Sequence, residues 1–168
     1  MTFLITDVKH LSTLTKGVYM KKLLFAFLLI TNVAKANTDI TGYWTTIDDE
    51  TKTAKSVVQI YEYQGKYFGR VVDLLKNKQA TAKLPNNPPV MGMDIIWDLE
   101  QKGNQYIGGE ILDPTKGKVY GCEIWRDKEN LIVRGKIAFL GRNQIWLPNK
   151  DFKSTNKEPL TPNKPKLK

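Results

Sequence analysis

The chain has 168 residues, of which 41% are hydrophobic, and carries a formal net charge of +9 at pH 7. That charge lies at the two ends, because residues 1–36 contain five lysines against one acidic residue and residues 150–168 contain six lysines against two. The body between them is therefore close to neutral. This argues against a nucleic-acid-binding domain, which carries its basic charge on the folded body.

The N-terminal residues show the three-part pattern of a secretory signal peptide. Met20-Lys21-Lys22 is a basic start, residues 23–30 form an unbroken apolar run, and Ala34-Lys35-Ala36 is a small-residue cleavage site. The apolar run is shorter than the roughly 20 residues of a membrane-spanning helix, which favours export over a membrane anchor. We expect residues 1–36 to be a signal peptide, with 1–19 either an upstream extension of the reading frame or a long basic region. The mature protein would then be periplasmic or secreted.

Few residues are available for nucleophilic or metal chemistry. His10, the single histidine, lies in the predicted signal peptide, so the mature chain lacks Ser-His-Asp and Cys-His machinery and the usual histidine-bearing zinc sites. The single cysteine, Cys122, has no partner for an internal disulfide. Its apolar surroundings indicate a small buried hydrophobe, with a reactive or intermolecular thiol as the alternative.

An enzyme would have to rely on carboxylates. Asp94 and Asp98 alternate with apolar residues and are expected to point to solvent, and Asp113 heads a turn, where aspartate bonds backbone amides. We therefore predict that the protein is not an enzyme and has no catalytic residue, metal site or cofactor.

The body of the chain is predicted to form about eight short strands. Apolar and polar residues alternate with the period of a half-buried strand, and Gln64-Gly65 is typical of a tight hairpin turn. The predicted strands cover residues 40–46, 56–63, 66–74, 93–99, 105–112, 118–126, 131–139 and 142–147. The polar, proline-rich residues 76–89 form the one long loop, either a lid or a connector.

When consecutive antiparallel strands have one apolar face, the sheet buries that face and removes its edges by closing into a barrel. The predicted fold of residues 37–149 is all-β, an antiparallel up-and-down barrel of about eight strands, and a two-sheet sandwich is the alternative. Residues 150–168 contain few large apolar side chains and are predicted to be a flexible basic tail. Their charge suits an anionic surface or simply aids solubility.

An ordered set of motifs resembles a bacterial family catalogued as domain of unknown function 2147. The motifs are Gly42-Tyr43-Trp44, Phe68-Gly69-Arg70-Val71-Val72, residues 108–114, Gly117-Lys118-Val119-Tyr120, Val133-Arg134-Gly135 and residues 140–146. Together they cover nearly all of residues 40–147. The resemblance implies an exported protein with a lipocalin-like up-and-down barrel, and it implies no particular reaction.

The Gly-x-Trp element also resembles the first-strand signature of lipocalins, in which the tryptophan closes one barrel end beneath a basic side chain. That resemblance implies a structural role for Trp44 in barrel closure. Arg142 is our candidate for the cation, since arginine stacks well on an indole ring. A ligand contact by Trp44 is the alternative.

Alternate residues of each strand line the interior of a barrel, where they either fill a core or line a pocket near the open end. Our candidate ligand-binding residues are Trp97, Tyr120, Ile95, Val133 and Phe139. We predict a barrel that binds a small hydrophobic or amphipathic ligand, with no nucleic-acid partner and no transmembrane segment in the mature protein. The alternative is a protein-interaction module that contacts an envelope component or inhibits a hydrolase.

Overall fold

A computed structural model describes residues 38–48, 50–155 and 159–168. The predicted signal peptide lies outside the described residues. Eight antiparallel strands close into a barrel in the order of the sequence. The strands are β1 (Gly42–Ile47), β2 (Ala54–Tyr63), β3 (Lys66–Leu74), β4 (Asp94–Lys102), β5 (Gln105–Asp113), β6 (Lys118–Asp127), β7 (Asn130–Ile137) and β8 (Leu140–Pro148). The predicted barrel is confirmed, and the sandwich alternative is wrong because β1 pairs with β8.

The strand limits lie within three residues of the predicted ones, because local turn chemistry sets them. Gln64 and Gly65 both adopt positive φ, 51° and 77°, as the tight hairpin between β2 and β3 requires. In the described residues, no helix is long and apolar enough to cross a membrane.

The interior is recognised from the register, since residues directly opposite each other on neighbouring strands share a face. Trp44 lies opposite Val58, and Leu131 lies opposite Trp146. Buried side chains of this inner face form the core: Trp44, Val58, Ile60, Val71, Ile96, Leu99, Tyr106, Cys122, Ile124, Leu131, Val133 and Trp146.

Strand β4 departs from the predicted alternation. Ile96 faces the interior opposite Gly69, whereas Trp97 lies opposite the exposed Glu110 on the outer face. The expectation that Asp94 points to solvent is wrong, because its side chain is 0% exposed. A register shift precedes Ile96, and Asp98 has a φ of 61°. The alternation of inward and outward side chains is therefore interrupted twice in this strand.

The two ends of the barrel differ. We call "floor" the end that carries the turns at 64–65, 103–104 and 128–129, and "mouth" the end that carries residues 48–53, 75–93, 114–117 and 138–139. The long loop packs at the mouth with Ala82, Leu84 and Val90 buried. The backbone N–H of Lys83 donates to the Pro114 carbonyl at 2.9 Å, which ties this loop to the β5–β6 turn.

The C-terminal residues, which the sequence predicted to be a flexible tail, contact the barrel. Residues 160–164, which we call the C-terminal segment, lie on the outer face of β3 and β4, and Leu160 packs against the core. The low content of large apolar side chains does not predict this docking, because hydrogen bonds and an ion pair make most of these contacts.

Candidate functional site

The floor is closed by a tryptophan beneath an arginine. Trp44 is 2% exposed, and its Nε1 donates to the Ile40 carbonyl at 2.8 Å. The Arg126 guanidinium lies 4.8 Å from the centroid of the Trp44 ring, within cation–π range. These contacts support the predicted role of Trp44 in closing one end of the barrel.

The cation on this ring is Arg126, so the prediction of Arg142 is wrong. Arg142 lies opposite Gly135 on β8, towards the mouth, whereas Arg126 is at the floor end of β6. Strand position along the barrel axis decides which cation reaches Trp44, and no local sequence pattern reveals that position.

Two tyrosines complete the floor. The rings of Tyr67 and Tyr106 meet edge-on with centroids 4.6 Å apart. Burial, then the neighbouring Tyr67, raises the pKa of Tyr106 to about 12, and burial also raises the pKa of Tyr67. Both phenols stay neutral at physiological pH, so they add no charge to the packed floor that Arg126 closes.

On β5 to β8, the inner-face side chains become more exposed from floor to mouth. Tyr106, Ile124, Leu131 and Trp146 are buried near the floor. Towards the mouth, the inner-face residues Ile111, Tyr120, Gly135 and Gln144 are half-buried and Arg142 is exposed. The inner face of β5 to β8 is therefore less tightly covered near the mouth than near the floor.

The mouth combines apolar and polar groups. A Cβ placed on Gly135 would lie 3.7 Å from the Cβ of Tyr120 and 3.8 Å from Cγ2 of Ile111, so these three residues are neighbours. Elsewhere on the inner face, the buried hydroxyls of Thr46 and Ser56 are 2.8 Å apart. Such a mixture suits a molecule with an apolar body and a polar end.

The structure separates the five predicted ligand-binding residues. Tyr120 lies at the mouth and Val133 is buried deeper on the same face, opposite Gln144. Ile95 is buried at the β3–β4 register shift.

Trp97 and Phe139 are not inside the barrel. The Trp97 Nε1 donates to Glu110 Oε2 at 2.7 Å on the outer face, and Phe139 is 93% exposed at the β7–β8 turn. The predicted ligand-binding set does not include three further residues near the mouth, Ile111, Gly135 and Gln144. Alternation within β5, β7 and β8 places them on the inner face.

The other chemistry-bearing groups have structural partners. Cys122 is buried on the inner face, and burial raises the pKa of its thiol, which agrees with its interpretation as a small hydrophobe. Burial alone would raise the pKa of Asp113, but hydrogen bonds from the Thr115 hydroxyl and N–H outweigh it and lower this pKa. Within the described ranges, no group of three or more His, Cys, Asp or Glu side chains is placed to hold a metal ion.

A closed eight-stranded up-and-down barrel with one plugged end has the architecture of a lipocalin-like barrel. A solved structure titled "Protein HP1028 from the human pathogen Helicobacter pylori belongs to the lipocalin family" has this fold. It matches with a TM-score of 0.59 and 19% identity, over 67% of this chain and 84% of that chain.

The family model described as "Uncharacterized protein conserved in bacteria (DUF2147)" matches residues 42–147, and the chain belongs to this family. The family resemblance read from the motifs is thus confirmed. No curated protein matches the chain.

Proposed function

We propose that the protein is an exported, non-enzymatic barrel that binds a small amphipathic molecule at its mouth. The observation that carries this proposal is the increase in exposure along the inner face of β5 to β8, from buried Leu131 to half-buried Tyr120 and exposed Arg142. Export rests on the signal-peptide pattern of residues 1–36.

The packing restricts where a ligand enters and how deep it reaches. Trp44, Trp146 and Tyr106 fill the floor half, so entry is from the mouth and only the upper interior is available. An eight-stranded barrel holds at most a small ligand in addition to its side chains. The likeness to a lipocalin-family structure supports the fold on which this proposal depends.

The side chains of the mouth indicate the ligand's orientation. Its apolar part would contact Ile111, Tyr120 and Val133, and a polar or anionic end would lie near Arg142 and Gln144. An anionic end gains most from arginine, whose guanidinium keeps its charge and donates several hydrogen bonds.

A glycine pair provides a matched test of the site. Gly135→Leu adds a side chain beside Tyr120 and Ile111 at the mouth, whereas Gly121→Leu adds one to the outer face of the neighbouring strand. We expect Gly135→Leu to weaken binding of the fluorescent probe 1-anilinonaphthalene-8-sulfonate about tenfold, and Gly121→Leu to leave it unchanged. Fluorescence titration measures both, and equal affinities would contradict the proposed site.

The charge of the ligand's polar end is tested at Arg142. Arg142→Gln should weaken binding of this sulfonate probe several-fold more than that of the uncharged probe N-phenyl-1-naphthylamine. Equal losses for the two probes would argue against an anionic end. Native mass spectrometry of the protein purified from its own host would then give the mass of a co-purified molecule.

A protein-interaction module is the second candidate, and the β7–β8 turn favours it. Ile137, Phe139 and Leu140 are exposed together at this turn, and clustered exposed apolar side chains mark interaction surfaces. A photocrosslinker at position 139 that gives one defined adduct in the host, with no co-purified small molecule, would favour this candidate over ligand binding.

A further inference from the structure

The outer face of β2, β3 and β4 carries a buried cluster that is separate from the barrel interior. Tyr61, Phe68 and Arg70 alternate with inward-facing residues, so they point outwards, as does Trp97 opposite Glu110. Asp94 joins them through Arg70. We call these five residues the outer cluster. Four are buried and the Arg70 side chain is only 14% exposed, which is unusual for the outside of a barrel and means that another part of the chain covers them.

An ion pair lies at the centre of the outer cluster. Arg70 Nε donates to Asp94 Oδ1 at 3.0 Å and Nη2 donates to Oδ2 at 3.1 Å, in a two-pronged geometry. The Tyr61 hydroxyl donates to the same Oδ2 at 2.9 Å. A buried carboxylate is costly unless such bonds satisfy it, so the cluster is a rigid, prearranged set of donors and acceptors.

The C-terminal segment docks on this set through its backbone. The Asn163 N–H donates to Asp94 Oδ2, and the Asp94 N–H donates back to the Asn163 carbonyl at 3.1 Å. Arg70 Nη2 donates to the Thr161 carbonyl at 2.5 Å. These contacts recognise an extended peptide whatever its side chains.

Side-chain contacts add selectivity to this docking. Asn163 Nδ2 donates to the Gly92 carbonyl at 2.8 Å. Lys164 Nζ lies 3.1 Å from Asp98 Oδ2 and 4.9 Å from the centroid of the Trp97 ring. With Leu160 packed against the core at the other end, the contacts specify the order Leu, Asn, Lys.

We propose that the outer cluster is a peptide-binding site. Its resident ligand is the chain's own C-terminal segment, and a peptide of the same Leu-Thr-Pro-Asn-Lys chemistry binds there when the segment is released. Pro162 favours this binding, because a proline restricts the peptide backbone before it docks and so lowers the entropy lost. This site is independent of ligand binding at the mouth, and each proposal can fail without the other.

The test begins with release of the segment in the full chain. The double variant Asn163→Asp/Lys164→Glu sets one carboxylate against the Gly92 carbonyl and another against Asp98. The control Lys166→Glu/Lys168→Gln makes the same total charge change at two positions beyond the C-terminal segment. We expect the amide at position 163 to be protected from hydrogen exchange in the wild type and the control, and to lose that protection about tenfold or more in the release variant. An unprotected amide in the wild type, or equal protection in all three proteins, would overturn the proposal.

The second step supplies the peptide separately. A fluorescein-labelled synthetic peptide of residues 159–168 should bind the release variant, measured by anisotropy, about tenfold or more tightly than it binds the wild type or the control, whose sites are filled. A scrambled peptide, or one carrying the Asn163→Asp and Lys164→Glu changes, should not bind. Failure of the native peptide to bind, or equal binding of the scrambled one, would contradict the proposal. If circular dichroism shows that the double variant does not fold, Lys164→Glu with Lys166→Glu as its control gives the same comparison.

Discussion

Single residues hold the floor of the barrel together, and Arg126 is the most informative of them. Its Nε is buried without a hydrogen-bond partner among the described atoms, while its guanidinium lies over the Trp44 ring. The Trp44 ring face is therefore a contact that this guanidinium makes in place of a hydrogen bond from Nε. A cation over an indole contributes about 0.5–2 kcal/mol, with the larger values in desolvated sites.

Because Arg126 and not Arg142 lies over Trp44, the two arginines should contribute differently to the free energy of unfolding. Arg126→Ala should lower the free energy of unfolding by about 1–3 kcal/mol, through the lost cation–π contact and the lost packing of the arginine stem. Arg142→Ala should change it by less than about 0.5 kcal/mol, because that residue is exposed at the mouth. Urea denaturation followed by circular dichroism measures both. A larger loss for Arg142 would mean that Arg126 does not close the floor.

At the scale of elements, the long loop is held to the β5–β6 turn by a close backbone contact. Gly117 has a φ of 66°, and a Cβ at this position would collide with the Lys83 carbonyl oxygen. The Lys83 N–H donates to the Pro114 carbonyl in the same contact. The glycine is thus needed both for its conformation and for its lack of a side chain.

A second glycine separates these two requirements. Gly103 has a similar φ of 61°, but a Cβ there would meet nothing within 4 Å. Gly117→Ala should therefore lower the free energy of unfolding by about 1–3 kcal/mol and speed proteolysis of residues 76–89, whereas Gly103→Ala should cost only about 1 kcal/mol of backbone strain. Equal costs for the two substitutions would show that the contact with Lys83 contributes nothing.

At the scale of the whole molecule, the barrel is closed by a short seam. Strands β1 and β8 pair only at Trp44 with Pro148 and at Thr45 with Leu147, and the Asn149 N–H extends this pairing to the Tyr43 carbonyl at 2.9 Å. Phe152 covers the seam from outside, its ring centroid 4.9 Å from that of Tyr43. Towards the mouth, β8 is paired with β7 alone.

A short seam predicts unequal stability around the barrel. Amides of residues 140–146 should exchange with solvent about tenfold or more faster than those of β6, which is paired along both edges. Hydrogen exchange followed by mass spectrometry measures the difference. Bound ligand at the mouth should slow exchange in residues 140–146. Uniform protection around the barrel would instead indicate a seam as stable as the other strand pairs.

The sequence by itself determined the features that depend on neighbouring residues. Alternation and turn residues such as Gln64-Gly65 predicted eight strands, and an apolar face on each strand required closure. The Gly-x-Trp motif located Trp44 as the floor residue. Turn chemistry also placed Asp113 correctly, because its hydrogen bonds reach only two or three residues along the chain.

Only the tertiary structure decided which distant groups meet. Ile96 faces inwards and Trp97 outwards because the β3–β4 register shifts and the C-terminal segment covers the outer face, so apolar residues are needed on both sides of β4. Arg126 closes the floor and Arg142 lies at the mouth because barrel closure assigns each strand position a height along the axis. A strand's period shows that alternate residues share a face, but burial of that face depends on the chain packed against it.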